Sequence, residues 1–193
     1  MKTISSFPAL AVVSIFLLTS CKKDEVTPVV PPVTATQTLS VPFSTATNFR
    51  FFSFKDSTGV SSADSATGKW DFAIRFTKIL INSQASGPGN AGVILQDGIY
   101  SSITSAPTTG YSYDTTATRL AIKDGSWYDY NSVTRSLSPK AGKVFIFRTA
   151  DGSRYAKLQL LSVEYAPFVG MVPVTLLYKF QYTYQPNGTT SFQ

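Results

Sequence analysis

Apolar and polar residues alternate with period two in one segment after another of this chain, the pattern of β-strands that bury one face. In Trp70 to Phe76, the residues Trp70, Phe72, Ile74 and Phe76 share a face, opposed by Asp71, Ala73 and Arg75. From Val172 to Tyr184, Val172, Val174, Leu176, Tyr178, Phe180, Tyr182 and Tyr184 lie together, opposed by Thr175, Leu177, Lys179, Gln181 and Thr183. Both segments are predicted as strands. Lys143 to Thr149 and Tyr155 to Tyr165 are two further runs, joined by Ala150-Asp151-Gly152-Ser153-Arg154. The Asp-Gly step supplies the positive φ that a tight hairpin needs. Shorter strand candidates are Leu39 to Phe43, Phe49 to Lys55, Gly92 to Gln96 and Arg119 to Ile122. Ser, Thr, Gly and Pro segments separate them, and no stretch keeps helical periodicity beyond about two turns. The expected fold class is mostly β, with antiparallel strands and long loops in a meander or sandwich.

Composition narrows the chemistry. Hydrophobic residues make up 43% of the 193 and charged residues 15%, enough apolar surface to offset the entropy of ordering. There is no His and a single Cys, so no disulfide framework, no Cys/His zinc site and no Ser-His or Cys-His pair can be assembled. Asp71, Asp97, Asp114, Asp124, Asp129 and Glu164 provide carboxylates but form no recognisable glycosidase pair. The Gly/Ser-rich stretch Asn82 to Asn90 lacks the Gly-Lys-Ser/Thr ending of a phosphate cradle and reads as a loop. The net charge of +6 is scattered without a nucleic-acid-binding motif. A binding protein is expected, not an enzyme.

The amino terminus has the order of an export signal: Lys2, an apolar run from Phe7 to Leu18, then small residues before Cys21. The run is too short to cross a bilayer as a lasting helix. Leu18-Thr19-Ser20-Cys21 resembles a lipobox, in which the Cys is acylated and becomes the first residue after cleavage. Several acyl chains on one residue anchor a protein stably. Lys22-Lys23-Asp24-Glu25 resembles the surface-export signal of Bacteroidetes lipoproteins, which implies outer-membrane attachment and display on the cell surface. Val26 to Thr38, with Pro28, Pro31 and Pro32, reads as an extended tether. The expected organisation is a signal over residues 1–20, a lipidated Cys and tether over 21–38, and a β-rich domain over 39–193.

Within that domain the Lys69-Trp70-Asp71-Phe72-Ala73 strand runs into the Asn82 to Asn90 loop. Gly125-Ser126-Trp127-Tyr128-Asp129-Tyr130-Asn131 and Ser138-Pro139-Lys140 follow, then Val144-Phe145-Ile146-Phe147-Arg148-Thr149-Ala150-Asp151-Gly152 and Tyr155-Ala156-Lys157-Leu158. In order and spacing this resembles the HmuY family of Bacteroidetes lipoproteins, over about Lys69 to Tyr184. The resemblance implies a hand-like β domain whose loops hold haem, passed on to a TonB-dependent receptor. The founding member grips haem iron between two histidines, and this chain has none.

The remaining candidate iron ligands are the phenols of Tyr100, Tyr111, Tyr113, Tyr128 and Tyr130, and the thioether of Met171. Packing is the alternative role for each. Lys78, Arg119, Lys123 and Arg135 flank the loops and are candidate partners for haem propionates, or solvated surface charge. Two functions stay open: capture of haem or a related tetrapyrrole, and a lipid-tethered module that binds a partner protein or a glycan without haem.

Overall fold

The computed structural model describes residues 30–43, 48–170 and 172–193; the signal run, Cys21, the Lys22 to Glu25 cluster and Met171 lie outside them. In chain order the first strands are β1 (Val33–Pro42), β2 (Arg50–Ser53), β3 (Thr58–Val60), β4 (Phe72–Arg75), β5 (Lys78–Ile81) and β6 (Gly92–Asp97). Then come β7 (Tyr128–Asn131), β8 (Ser136–Pro139), β9 (Lys143–Arg148), β10 (Tyr155–Tyr165), β11 (Phe168–Val169), β12 (Val172–Pro173) and β13 (Thr175–Gln185). A five-stranded sheet has the order β1-β13-β10-β9-β6, and a four-stranded sheet the order β3-β2-β4-β5. Two ribbons, β7-β8 and β11-β12, complete the pairing, and all named pairs are antiparallel.

The two larger sheets bury their apolar faces against each other. In β13, Leu176, Tyr178, Phe180, Tyr182 and Tyr184 are buried, as the alternation predicts. Phe52 and Phe72 of the smaller sheet meet Phe180 at ring-centroid distances of 5.2 and 5.9 Å, both edge to face. Phe54 and Phe72 meet Phe147 at 5.1 and 5.6 Å. Such offset and edge contacts add to the area burial that closes the sandwich. The predicted Asp-Gly hairpin joins β9 to β10, with Gly152 at φ 74°. In β10, Ala156, Leu158 and Leu160 point inward, and a bulge between Leu160 and Ser162 then shifts the inward position to Val163. One extra residue flips the pleat, which leaves Leu161 43% exposed.

Four sequence expectations change. β1 begins at Val33 and pairs with β13 from Val33↔Tyr184 onward, so Val33 to Thr38 belong to the sheet and not to the tether. Their side chains are mostly exposed, because β1 is an edge strand, and so the segment carries little hydrophobic signal. Trp70 to Phe76 is strand only over Phe72–Arg75, with both faces buried: Ala73 packs with Phe51 and Trp70 in a separate small core. Phe76 leaves the strand at φ 50° and is 42% exposed. Val172 to Tyr184 is interrupted at Val174, a bend that separates β12 from β13.

Arg119 to Ile122 is not a strand. Thr116 and Arg119 close a tight turn, and the Ala121 N–H is taken by the Asp114 carboxylate instead of by a neighbouring strand. The Asn82 to Asn90 loop is, as expected, a loop, and it is tightly packed. Asn82 is fully buried, donates to the carbonyls of Trp70 (2.7 Å) and Thr67 (2.9 Å), and accepts the Gly89 N–H at 2.9 Å. A buried amide with all these partners satisfied fixes the loop's path.

Candidate functional site

The turn between β4 and β5 and the segment from Ala117 to Asp124 form the two walls of an open pocket of about 610 Å³. This lies within the size range of small-molecule sites. By contrast, the void inside the sandwich between Phe72, Phe145 and Phe180 holds only about 10 Å³ and is packing slack.

Both walls are fixed from beneath. Trp127 is 1% exposed, and its indole N–H donates to the Thr77 carbonyl at 3.1 Å, which holds the β4–β5 turn immediately before Lys78. Asp114 is fully buried and holds the other wall: one carboxylate oxygen accepts the Ala121 N–H at 2.7 Å, the other the Ile81 N–H at 2.9 Å and the Ser86 hydroxyl at 2.7 Å. A carboxylate that accepts several such bonds ties distant segments together. Here it joins the end of β5 to the segment that bears Arg119 and Lys123. Asp114 thereby has a structural role.

Lys78, Arg119 and Lys123 all line this pocket, with half-buried Leu120 and buried Ile122 between them. None of the three pairs with a described acidic side chain; the ion pairs among the described residues involve other cations. Their charge is therefore available to a ligand. The one acid on the wall, Asp124, accepts the Tyr128 hydroxyl at 2.7 Å. Burial, and next the bond to Asp124, push the Tyr128 phenol above its ordinary range, so it stays protonated and donates. The fourth cation singled out in the sequence, Arg135, sits at φ 53° in the turn between β7 and β8, outside the pocket lining.

The other tyrosines stand elsewhere. The Tyr100 hydroxyl shares a 2.8 Å hydrogen bond with that of Thr183, its ring lies 4.4 Å from the Lys157 ammonium, and burial pushes its pKa up to about 12. Tyr111 donates to the Pro107 carbonyl at 2.8 Å, and burial raises its pKa above the ordinary value. Tyr113 accepts from the Arg148 guanidinium at 2.9 Å, and Arg148 lies 5.6 Å from the rings of both Tyr111 and Tyr113. These contacts clip the segment before Asp114 onto the edge of the large sheet. Tyr130 is 52% exposed on the β7-β8 ribbon. Of the five phenols, that of Tyr128 donates a hydrogen bond to a residue of this pocket, while Tyr100 lines a separate open hollow with Gln159 and Gln181. The Thr77 carbonyl, Trp127 and Asp114 supports were not legible as pocket residues. Each acts across a distance in the chain, and only the indole and the isolated Asp hinted at them.

Among the described residues no group of His, Cys, Asp and Glu is arranged to hold a metal ion, and no helix is long and apolar enough to cross a membrane. No family model matches the chain, and no curated protein matches it. Among solved structures it is similar to the apo HmuY analog (TFO) of Tannerella forsythia, with a TM-score of 0.53 and 15% identity. That match covers 80% of this chain and 98% of the other. The fold is HmuY-like, mostly β and antiparallel.

Proposed function

We propose that this HmuY-like chain is a non-enzymatic, lipid-anchored binding protein that captures haem or a related tetrapyrrole in the pocket between the β4–β5 turn and the Ala117 to Asp124 segment. The observation that carries the reading is the convergence of Lys78, Arg119 and Lys123, free of described acidic partners, around the apolar side chains of Leu120 and Ile122. A tetrapyrrole offers the complement, an apolar plate with acidic groups at one edge. Cations at the rim and apolar contact within suit it. The likeness in fold to an HmuY analog supports the same class of ligand. The Leu18 to Cys21 lipobox and the charged residues behind it support an outer-membrane anchor on the cell surface, with delivery to a TonB-dependent receptor as the onward step.

Titration of the purified chain with ferric haem tests the reading. A saturable shift of the Soret band at one equivalent is expected. A flat titration would remove haem as the ligand.

A second reading is favoured by one feature, the β11-β12 ribbon, which exposes Phe168 (57%) and Val169 (71%). Exposed apolar side chains on a projecting ribbon suit an interaction module for a partner protein. A Phe168→Ser substitution separates the two readings: haem binding is unchanged if the pocket holds haem, whereas a partner-binding module loses its partner.

A further inference from the structure

We infer that the pocket recognises the acidic edge of its ligand and not a metal inside it. Its ligand class is then an apolar plate bearing carboxylates, bound equally with or without iron. This rests on the tetrapyrrole reading above and goes further, because it removes the iron bond from recognition.

Ammonium and guanidinium groups are donors without a free lone pair, so Lys78, Arg119 and Lys123 can hold an anion but cannot ligate a cation. The other side chains on the walls are small, hydroxyl or aliphatic, apart from Asp124. Asp124 has a prior partner in the Tyr128 hydroxyl at 2.7 Å. Tyr128, the one phenol at the rim, would have to lose its proton beside that carboxylate to become a phenolate ligand, and both burial and Asp124 oppose this. Carboxylate recognition is thus served by three groups, whereas the walls offer a metal no nitrogen or sulfur ligand and a single carboxylate, one oxygen of which accepts the Tyr128 hydroxyl.

The placement of the cations adds a second point. Lys78 is the first residue of β5, while Arg119 and Lys123 come from the segment after Asp114, and all three line the pocket. Charges on two walls can engage two carboxylates at once, and the planar guanidinium of Arg119 can take one of them in bidentate fashion. Half-buried Leu120, with the edge of Ile122 behind it in the core, is the apolar part of the same lining, against which the body of the ligand would rest. A single acidic group needs only one wall. Two walls of like charge suit a dianion.

The test compares three ligands on the purified chain by absorbance and fluorescence: ferric haem, free-base protoporphyrin, and the dimethyl ester of that porphyrin. Ferric haem and the free base are expected to bind within about threefold of each other, and the ester about tenfold or more weakly. The Lys78→Ala/Arg119→Ala/Lys123→Ala variant is expected to lose the preference for acid over ester. Its melting temperature is the control, since all three side chains are exposed and lack described hydrogen-bond partners. If haem binds and the free base is about a hundredfold weaker, the metal is being read; the inference falls and the tetrapyrrole reading stands. Equal binding of acid and ester also overturns the inference. If none of the three binds, the tetrapyrrole reading itself fails.

Discussion

Asp114 accepts the Ala121 N–H at 2.7 Å from a fully buried position, and through this bond the large loop excursion after β6 is tied back beneath the pocket. The same carboxylate holds the Ile81 N–H at the end of β5. Asp114 therefore ties the segment bearing Arg119 and Lys123 to the end of β5, while Trp127 holds the turn at Thr77. Asp114→Asn puts an amide N–H₂ where an acceptor is required and leaves at least one buried backbone donor unpaired, at a cost of about 1 to 3 kcal/mol. Urea denaturation is expected to show that loss, and ligand affinity should fall with it because Arg119 and Lys123 lose their fixed wall. Unchanged stability would mean that the loop is held by other contacts.

Tyr128→Phe removes the hydroxyl that Asp124 accepts. Because the bond is exposed, the expected stability loss is small, about 1 kcal/mol or less. The absorption spectrum of the haem complex is expected to be unchanged, since the phenol is a donor to Asp124 and not an iron ligand. A shift of the Soret and visible bands in the variant would identify Tyr128 as the ligand after all.

Asp71 gives the protein a pH dependence with a definite sign. It is 5% exposed, and burial is the main cause that raises its pKa from 3.8 to about 6, partly offset by the N–H groups of Ala150 and Phe54 that it accepts. In the unfolded chain it ionises first, so between about pH 4 and 6 the folded state binds more protons and stability falls as pH rises. The full difference is about 3 kcal/mol, present above pH 6 as a penalty and absent below the unfolded value. Denaturation of wild type and Asp71→Asn from pH 4 to pH 7 checks this. The wild type is expected to lose stability relative to the variant across that window, and parallel profiles would refute the assignment.

Gly87→Ala tests the tight loop. A Cβ at this position would meet the Asn82 side-chain oxygen and come within 2.7 Å of the Trp70 ring, both parts of buried groups that cannot withdraw to solvent. Overpacking of this kind costs about 1 to 3 kcal/mol. A lowered melting temperature is expected; at Gly68, where an added Cβ meets nothing within 4 Å, the same substitution should be far milder.

The strands that contribute one face to the sandwich were legible in the sequence because their burial is one-sided. The first part of β10 and β13 show it; β9, joined to β10 by the Asp-Gly turn, is instead an apolar run buried on both faces, with Val144 and Ile146 in a second cluster beside Ala106 and Phe192. β1 was misread as tether over Val33 to Thr38, because an edge strand owes its place to backbone hydrogen bonds with β13 and not to an apolar stripe. β7 and β8, paired as Tyr128↔Pro139 to Asn131↔Ser136, are mostly exposed and only four residues each, too short for a lasting alternation. Arg119 to Ile122 looked like a strand because its apolar residues suit one, yet a side chain took the donor that a partner strand would have used.

What the sequence determined by itself was the mostly β class, the lack of histidine chemistry, and a set of cations near the loops, since these follow from composition and local periodicity. Which of those cations line one pocket was decided only by tertiary structure. Lys78 lies about forty residues from Arg119 along the chain, and nothing local relates them. They share a pocket because buried Trp127 and Asp114 fix two remote turns against one core, while Arg135, equally basic, is carried away by its own ribbon. Pairing across the sandwich, a long-range outcome of hydrophobic burial, turned scattered charge into a site.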